Sequence, residues 1–175
     1  MIGLVSPLRH RTPVIVASAA AAVIIIAVVI SVFTVGPDIW AAATIRVAED
    51  DESVTLTESE STVTVPVDRD WSYSTSPFDE SRATLHSPDG VMTIEFDVGS
   101  SLEPDAAARA LAGDVAVFDH ESIGRAGVIH GRTADGEALA GALVDGGTVL
   151  AFVSRPSPDY DAELAGLLAR IEVAP

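Results

Sequence analysis

Residues 83–98, ATLHSPDGVMTIEFDV, carry the hairpin pattern that decides the fold class of this chain. Apolar and polar side chains alternate on both sides of a central turn, over 82–86 and over 92–98. The turn itself is SPDG, and its glycine supplies the positive φ that a tight turn requires. One apolar and one polar face predict two antiparallel strands with one side exposed to solvent.

Further strands are predicted on either side of this hairpin. Valines recur at every second residue from Val63 to Val67, and a short strand is predicted from Trp71 to Ser74. The segment 115–123 fits either a longer helix or the beginning of a loop. Three later runs are separated by Asp-Gly turns, which predicts a three-strand meander. These runs are Gly127–Thr133, Glu137–Val144 and Thr148–Arg155.

Two helices complete the predicted domain. Pro104 and Asp105 suit the first turn of an alanine-rich segment that ends at Gly113. The second helix is predicted over 158–170, where apolar side chains recur every three or four residues in a single stripe. Strands, helix, strands and helix in this order predict an α+β domain with an antiparallel sheet and two helices.

The N-terminal part of the chain predicts a membrane span. No charged side chain lies between Arg11 and Asp38. The apolar stretch 14–35, as a helix, is about 33 Å long, which matches the hydrocarbon core of a bilayer. Arg9 and Arg11 precede the span, so the positive-inside rule predicts a cytoplasmic N-terminus and an extracytoplasmic C-terminal domain.

A cleaved secretory signal peptide is the alternative interpretation. Ala41–Ala43 offers a cleavage site of small residues. Apolar regions of signal peptides usually have about 7–15 residues, so the length of this stretch favours an uncleaved anchor. The predicted organisation is a cytoplasmic head (1–11), a transmembrane helix (12–37), an acidic linker (38–60) and an α+β domain (61–175).

Residues 38–60 are predicted to form an extended, acidic spacer. Six carboxylates repel one another between Glu49 and Glu60, and few large apolar residues lie between them. Val54 and Leu56 alternate with threonines, so a short strand is the alternative. The spacing of the acids matches no EF-hand calcium loop.

Charge and composition exclude several functions. The region after the span has eight arginines and 26 acidic residues, a net charge of −18. Nucleic-acid binding needs a basic surface and is not expected. The chain has no cysteine and no lysine. Disulfides, thiolate catalysis, cysteine-ligated zinc and Schiff-base chemistry are therefore excluded.

No catalytic, cofactor or metal motif is recognisable in the sequence. A nucleophile elbow, a P-loop, a dinucleotide fingerprint and H-E-x-x-H are all missing. His86 is predicted on the exposed face of its strand, and His130 is predicted to be packed or at an edge. Asp119-His120-Glu121 is the densest group of metal-ligand types, but sequence neighbours rarely converge on one metal. We therefore predict no enzyme, no cofactor and no metal.

Trp71, Tyr73 and Phe78 are the candidate ligand-binding residues. Trp71 and Tyr73 are two positions apart in a predicted strand and therefore share a face. With Phe78 they are predicted to line an apolar groove. The alternative is that these aromatic side chains belong to the core.

The order of these elements resembles a known family. The valine-rich strand, DRDWSYS at 68–74, the S-P-D-G hairpin, the alanine-rich helix, the meander and the final helix look like the PsbP-like α/β sandwich. The resemblance covers 63–173 and extends to small, membrane-anchored exported proteins of actinobacterial type. It implies a binding or assembly module and assigns no functional residue.

The sequence thus predicts a non-enzymatic, single-pass membrane protein with an extracytoplasmic binding domain. Its predicted partners are the bilayer, through 14–35, and an envelope protein or a small ligand. Three alternatives stay open: a metal or small-ligand sensor using His120, an exported soluble protein after signal cleavage, and an enzyme with an unrecognised site.

Overall fold

The computed structural model describes residues 45–76, 78–99, 103–113, 115–119 and 123–174. The predicted cytoplasmic head and transmembrane segment lie outside these residues. Within the described ranges, neither helix has the length and apolar character needed to cross a membrane.

An eight-stranded antiparallel sheet forms the centre of the described domain. Its strands are β1 (Arg46–Val47), β4 (Ser72–Ser76), β5 (Asp79–His86), β6 (Thr93–Gly99), β7 (Val115–Asp119), β8 (Val128–Thr133), β9 (Leu139–Asp145) and β10 (Thr148–Arg155). Their spatial order is β1-β4-β5-β6-β10-β9-β8-β7. The predicted hairpin is confirmed as β5–β6 and the predicted meander as β8–β9–β10.

A second, three-stranded sheet corrects the predicted linker. It contains β2 (Glu52–Glu58), β3 (Ser61–Val67) and β11 (Glu172–Ala174), in the order β11-β3-β2. The boundary predicted at Ser61 is therefore wrong, because β2 pairs with β3 over its whole length. Val54 and Leu56 are buried in the core, and this burial outweighs the repulsion among the neighbouring acids.

Two helices cover opposite faces of the large sheet, which confirms the α+β class. Helix α1 (Pro104–Ala112) packs on β9 and β10, and its alanines Ala107 and Ala108 are buried. Helix α2 (Asp161–Leu168) is shorter than predicted and buries Leu164, Leu167 and Leu168 in the main core.

The main core lies between the large sheet on one side and the small sheet with α2 on the other. Its largest fully buried side chains include Phe96 and Phe152 of the large sheet and Leu56 of the small one. A hydrogen bond of 2.9 Å from the Thr148 hydroxyl to the Ser61 hydroxyl also joins the two sheets. Both sheets therefore belong to one folded unit.

Strands β9 and β10 are buried on both faces, so backbone and side chains approach closely there. A Cβ added at Gly141 would contact the carbonyl oxygen of Ile129 and lie 2.6 Å from Cζ of Phe152. Gly166, inside α2, has open space at the same position.

We expect opposite effects from adding one methyl group at these two glycines. Gly141→Ala overpacks the sheet and should lower the free energy of unfolding by about 3 kcal/mol. Gly166→Ala should raise it by about 0.5–1 kcal/mol, since alanine loses less backbone entropy in a helix. Urea unfolding of the two variants measures both effects. Equal stability of the variants would contradict the packing described at Gly141.

Candidate functional site

An acidic cleft lies beside β2 and β3. Its volume is about 710 Å³, and each of its two arginines is paired with an aspartate. Arg170 forms two hydrogen bonds of 2.7 Å with Asp68, and Arg69 lies 3.3 Å from Asp50. The lining is Asp50, Asp51, Glu52, Ser53, Thr64, Pro66, Val67, Asp68, Arg69, Arg170 and Glu172.

A short hydrogen bond links this cleft to the core. The Tyr73 hydroxyl donates to Oε1 of Glu52 over 2.5 Å. This bond, with a second from the backbone amide of Glu49, holds the pKa of the Glu52 carboxyl below its usual value of 4.5. The same carboxylate raises the pKa of the Tyr73 hydroxyl, because ionising the phenol would break the bond.

The acidic side chains do not converge on a metal centre. Among the described residues, no three histidine, aspartate or glutamate side chains are placed to hold one metal ion. Neighbouring arginines neutralise part of the cleft, and Tyr73 binds Glu52. We interpret the cleft as a solvated, ion-paired surface.

A second concavity, the His130 pocket, is smaller and chemically mixed. It has a volume of about 190 Å³ and lies between the β7–β8 edge of the large sheet and the beginning of α2. It combines three charged side chains, one imidazole and three branched apolar side chains. The lining is Val117, Asp119, Ile123, His130, Gly131, Arg132, Leu139 and Asp161.

Strand register places the polar groups of the His130 pocket together. Asp119 of β7 lies directly opposite His130 of β8, and His130 lies opposite Gly141 of β9. Gly141 in turn lies opposite Phe152, whose ring belongs to the main core. Directly opposed residues in antiparallel strands project to the same face. These opposed residues form one row across the sheet, from Phe152 through Gly141 and His130 to Asp119. The row begins in the core, and the pocket lies at its other end.

An ion-pair cluster fixes the second wall of the pocket. Nη2 of Arg132 donates to Oδ2 of Asp161 over 2.6 Å, and the Ser157 hydroxyl donates to Oδ1 of Asp161 over 2.8 Å. Nη1 of Arg132 also donates to the Ser157 hydroxyl. Both terminal nitrogens of Arg132 are thus engaged, and its positive charge is balanced by Asp161.

His130 is the most informative residue of this pocket. Its Nδ1 atom is buried and has no hydrogen-bond partner among the residues that the structure describes. Burying a polar nitrogen without a partner costs about 1–3 kcal/mol. His130 also lines the pocket beside charged and apolar side chains, and this mixed lining makes the pocket a better candidate for binding than the acidic cleft.

The aromatic residues predicted to line a groove are placed differently. Tyr73 is 7% exposed and belongs to the core, and Trp71 packs against the same core. Phe78 is 86% exposed. Neither the acidic cleft nor the His130 pocket is lined by any of the three. The groove stays a prediction, and the burial of Tyr73 counts against it.

His86, the other histidine in the described part of the chain, does not extend the pocket. His86 lies on the face of β5 opposite to the core, where its Nδ1 is 3.1 Å from the Thr93 hydroxyl. His10, His120 and Glu121 lie outside the described residues.

Arg132 and Asp161 are pocket residues whose role the sequence pattern did not reveal. Arg132 is two residues from His130 in one strand, so the H-x-R spacing was the available signal for a shared face. In the sequence, Asp161 has only the character of an acidic residue that suits a helix N-terminus. Its approach to Arg132 depends on how α2 packs, which spacing does not show.

Comparison of the chain with family models, with curated proteins and with solved structures finds no match in any of the three.

We expect the Tyr73–Glu52 bond to contribute to stability in a defined pH range. Since the folded pKa of Glu52 is lowered, the contribution is present above pH 4.5 and is lost as the pH falls through the folded pKa. Tyr73→Phe should therefore lose less unfolding free energy than the wild type between about pH 6 and pH 3. Urea unfolding at a series of pH values measures this difference.

Glu52→Gln is the matched variant, because it removes the titrating group and keeps its shape. The double variant Glu52→Gln/Tyr73→Phe should show the same pH dependence as Glu52→Gln alone. An identical acid dependence in the wild type and in Tyr73→Phe would refute the assignment.

Proposed function

We propose that this protein is a single-pass membrane protein whose extracytoplasmic domain is a non-enzymatic binding module. The observation that carries the membrane part is the uninterrupted absence of charge from Thr12 to Pro37. Arg9 and Arg11 favour a cytoplasmic N-terminus. The order of the domain elements resembles that of PsbP-like proteins, and this resemblance supports the same proposal.

The His130 pocket supports a binding function for the domain. Its lining combines the imidazole ring of His130 with two carboxylates, one guanidinium and apolar walls. Within the described ranges, no serine is hydrogen-bonded to a histidine in the manner of a nucleophile and its base. Ser157 donates directly to Asp161 and accepts from Arg132, an arrangement that fixes side chains and does not activate the hydroxyl.

A small ligand fits the dimensions of the pocket better than a macromolecular partner. The volume is about 190 Å³, below the usual range of drug-sized sites. One edge is open, since Val117 is 75% exposed. We therefore propose a small-ligand binding module held at the membrane.

The membrane anchor predicts the fractionation of the full-length chain. Alkaline carbonate should leave the protein in the membrane pellet, and external protease should digest the domain in cells whose outer barrier is opened. Ile25→Arg places a charge near the centre of the span at a cost of about 2.5–3.5 kcal/mol and should reduce membrane insertion. Ile25→Leu is the control and should behave as the wild type.

Release of a soluble chain that begins after Ala43 would instead identify a cleaved signal peptide. Recovery of the intact chain from the cytosol would contradict both versions of the proposal.

Ligand binding predicts a thermal shift that depends on His130. We expect at least one member of a library of small amines, carboxylates, sugars and divalent cations to raise the melting temperature of the full chain in nanodiscs. A ligand at about 100 times its Kd stabilises the folded state by about 2.7 kcal/mol. His130→Phe should abolish the shift, because the ring keeps its bulk and loses both nitrogens.

His86→Phe is the matched control, since the same substitution lies on the opposite face of the sheet. It should retain the shift. A library without any ligand that distinguishes these two variants would contradict a binding role for the pocket.

A further inference from the structure

We propose that the free edge of β2 binds a basic, extended segment of a partner protein as an additional antiparallel strand. This inference concerns a surface that the proposed function does not use, and it does not depend on the His130 pocket. Three observations carry it: the backbone groups along the edge of β2, the open sheet face beside that edge, and the negative charge at both ends of the strand.

The backbone of β2 directs hydrogen-bonding groups toward a position that no described strand occupies. β2 is the last strand in the order β11-β3-β2, and it pairs with β3 over its whole length. The two-residue turn after Glu58 joins the backbone of this residue to that of Ser61, and hydrogen-bonded pairs then alternate along the hairpin. The N–H and C=O groups that point away from β3 therefore belong to Ser53, Thr55 and Thr57. Within the part of the chain that the structure describes, no other backbone group bonds to them there.

β2 lacks most of the features that usually protect an edge strand from pairing. Sheet edges are commonly protected by proline, a β-bulge, lysine or short length. β2 has seven residues without proline or lysine, and its pairing with β3 has no bulge. In a symmetric antiparallel pair of two copies centred on Thr55, Glu52 would lie opposite Glu58 of the other copy, and like charges in this position repel. The edge therefore disfavours a second copy of itself and is open to a strand of opposite charge.

Space for an added strand is available over β4. β2 packs across the core on β5 and β6, so a strand added at its free edge lies over β4. Tyr73 and Thr75 of β4 point to the same face of the sheet, because they are two positions apart. Tyr73 is buried and bonded to Glu52, whereas Thr75 is exposed. The core-facing side of β4 is therefore uncovered beyond Tyr73.

The charge around the edge specifies a basic partner. Residues 49–60 contain six carboxylates and no basic side chain. Both oxygens of Glu52 already accept hydrogen bonds, and Asp50 is paired with Arg69. Three other carboxylates are exposed and form no ion pair or hydrogen bond within the described ranges; they are Asp51, Glu58 and Glu60. Lysine or arginine side chains of an added strand can pair with these three without displacing an existing partner.

These groups define the chemistry of the partner strand. Its backbone bonds to the free edge whatever its sequence, and its side chains give the specificity. Basic side chains at its two ends lie beside Asp51 and Glu58. Side chains opposite Val54 and Leu56 point to the uncovered side of β4, where β-branched residues suit a sheet. The heptapeptide Lys-Thr-Val-Thr-Val-Thr-Lys, blocked at both termini, has all of these properties.

This lysine peptide and three variants of it test the proposal. Fluorescence anisotropy of labelled peptide measures binding to the full chain in phosphatidylcholine nanodiscs at about 150 mM salt, with empty nanodiscs as the reference. We expect a Kd of about 0.1 mM for the lysine peptide. Glutamate in place of both lysines should weaken binding at least about tenfold.

Two methylated peptides separate strand pairing from attraction between charges. N-methylation of the central threonine removes the amide that faces Thr55 and should weaken binding at least about tenfold. N-methylation of a neighbouring valine, whose amide points away from β2, should change binding less than about twofold.

Substitutions at Thr55 test the edge from the side of the protein. Thr55→Pro removes an outward N–H at the centre of β2, and an edge strand tolerates proline at such a position. It should weaken binding of the lysine peptide at least about tenfold, whereas the matched control Thr55→Val keeps the N–H and should bind as the wild type does. Circular dichroism checks that both variants fold. If Thr55→Pro does not fold, hydrogen exchange of the wild type replaces it. The peptide should then slow exchange at Ser53, Thr55 and Thr57 and leave Val54 and Leu56 unchanged.

Several outcomes would overturn this inference. These are equal binding of the lysine and glutamate peptides, equal binding of the two methylated peptides, unchanged exchange at the edge, and no binding at about 5 mM peptide. A wild-type dimer that Thr55→Pro dissociates, seen by analytical ultracentrifugation in detergent, would identify a second copy as the occupant and would also overturn it.

His130→Phe distinguishes this inference from the proposed function. The variant should bind the lysine peptide as tightly as the wild type, because His130 lies in β8 and not at the edge of β2. Loss of peptide binding in His130→Phe would contradict a separate site at β2. Failure of the small-ligand library would end the proposed function of the pocket and leave binding at the β2 edge in place.

Discussion

Burial of β10 on both faces is the constraint on which the rest of this domain depends. Seven of its eight residues are buried. Leu150 and Phe152 face the main core, whereas Val149 and Ala151 face α1. The strand also joins the β5–β6 hairpin to the meander in the sheet order. Helix α1 can approach only because small residues line this side of β9 and β10.

The same packing creates the candidate site at the sheet edge. The row that contains Phe152 continues through Gly141 to His130 and ends at Asp119. The Phe152 ring lies over the glycine, and the core ends before the row does. A polar pair therefore lies where apolar packing stops, with α2 providing the opposite wall through Asp161. Core and pocket are thus parts of one arrangement.

Local sequence patterns predicted most of the strands and helices, but they predicted few of the contacts between these elements. The alternation in 83–98 and the Asp-Gly turns predicted the hairpin and the meander, because the side-chain period of a strand is visible in sequence. The prediction of an extended spacer near Glu52 was wrong. The repulsion among its carboxylates can be read from the sequence, whereas the packing that offsets this repulsion cannot. The compensation comes from Val54 and Leu56 packing on strands far along the chain. Composition alone cannot show that contact.

The sequence by itself determined the acidic charge, the exclusion of thiol and lysine chemistry, and an antiparallel α+β domain. These follow from residue types and from spacing along the chain. Only the tertiary structure decided that Asp119, His130, Arg132 and Asp161 share a pocket and that Tyr73 is core. Register between strands and the docking of α2 bring these residues together. Both depend on long-range packing energies that short sequence patterns do not contain.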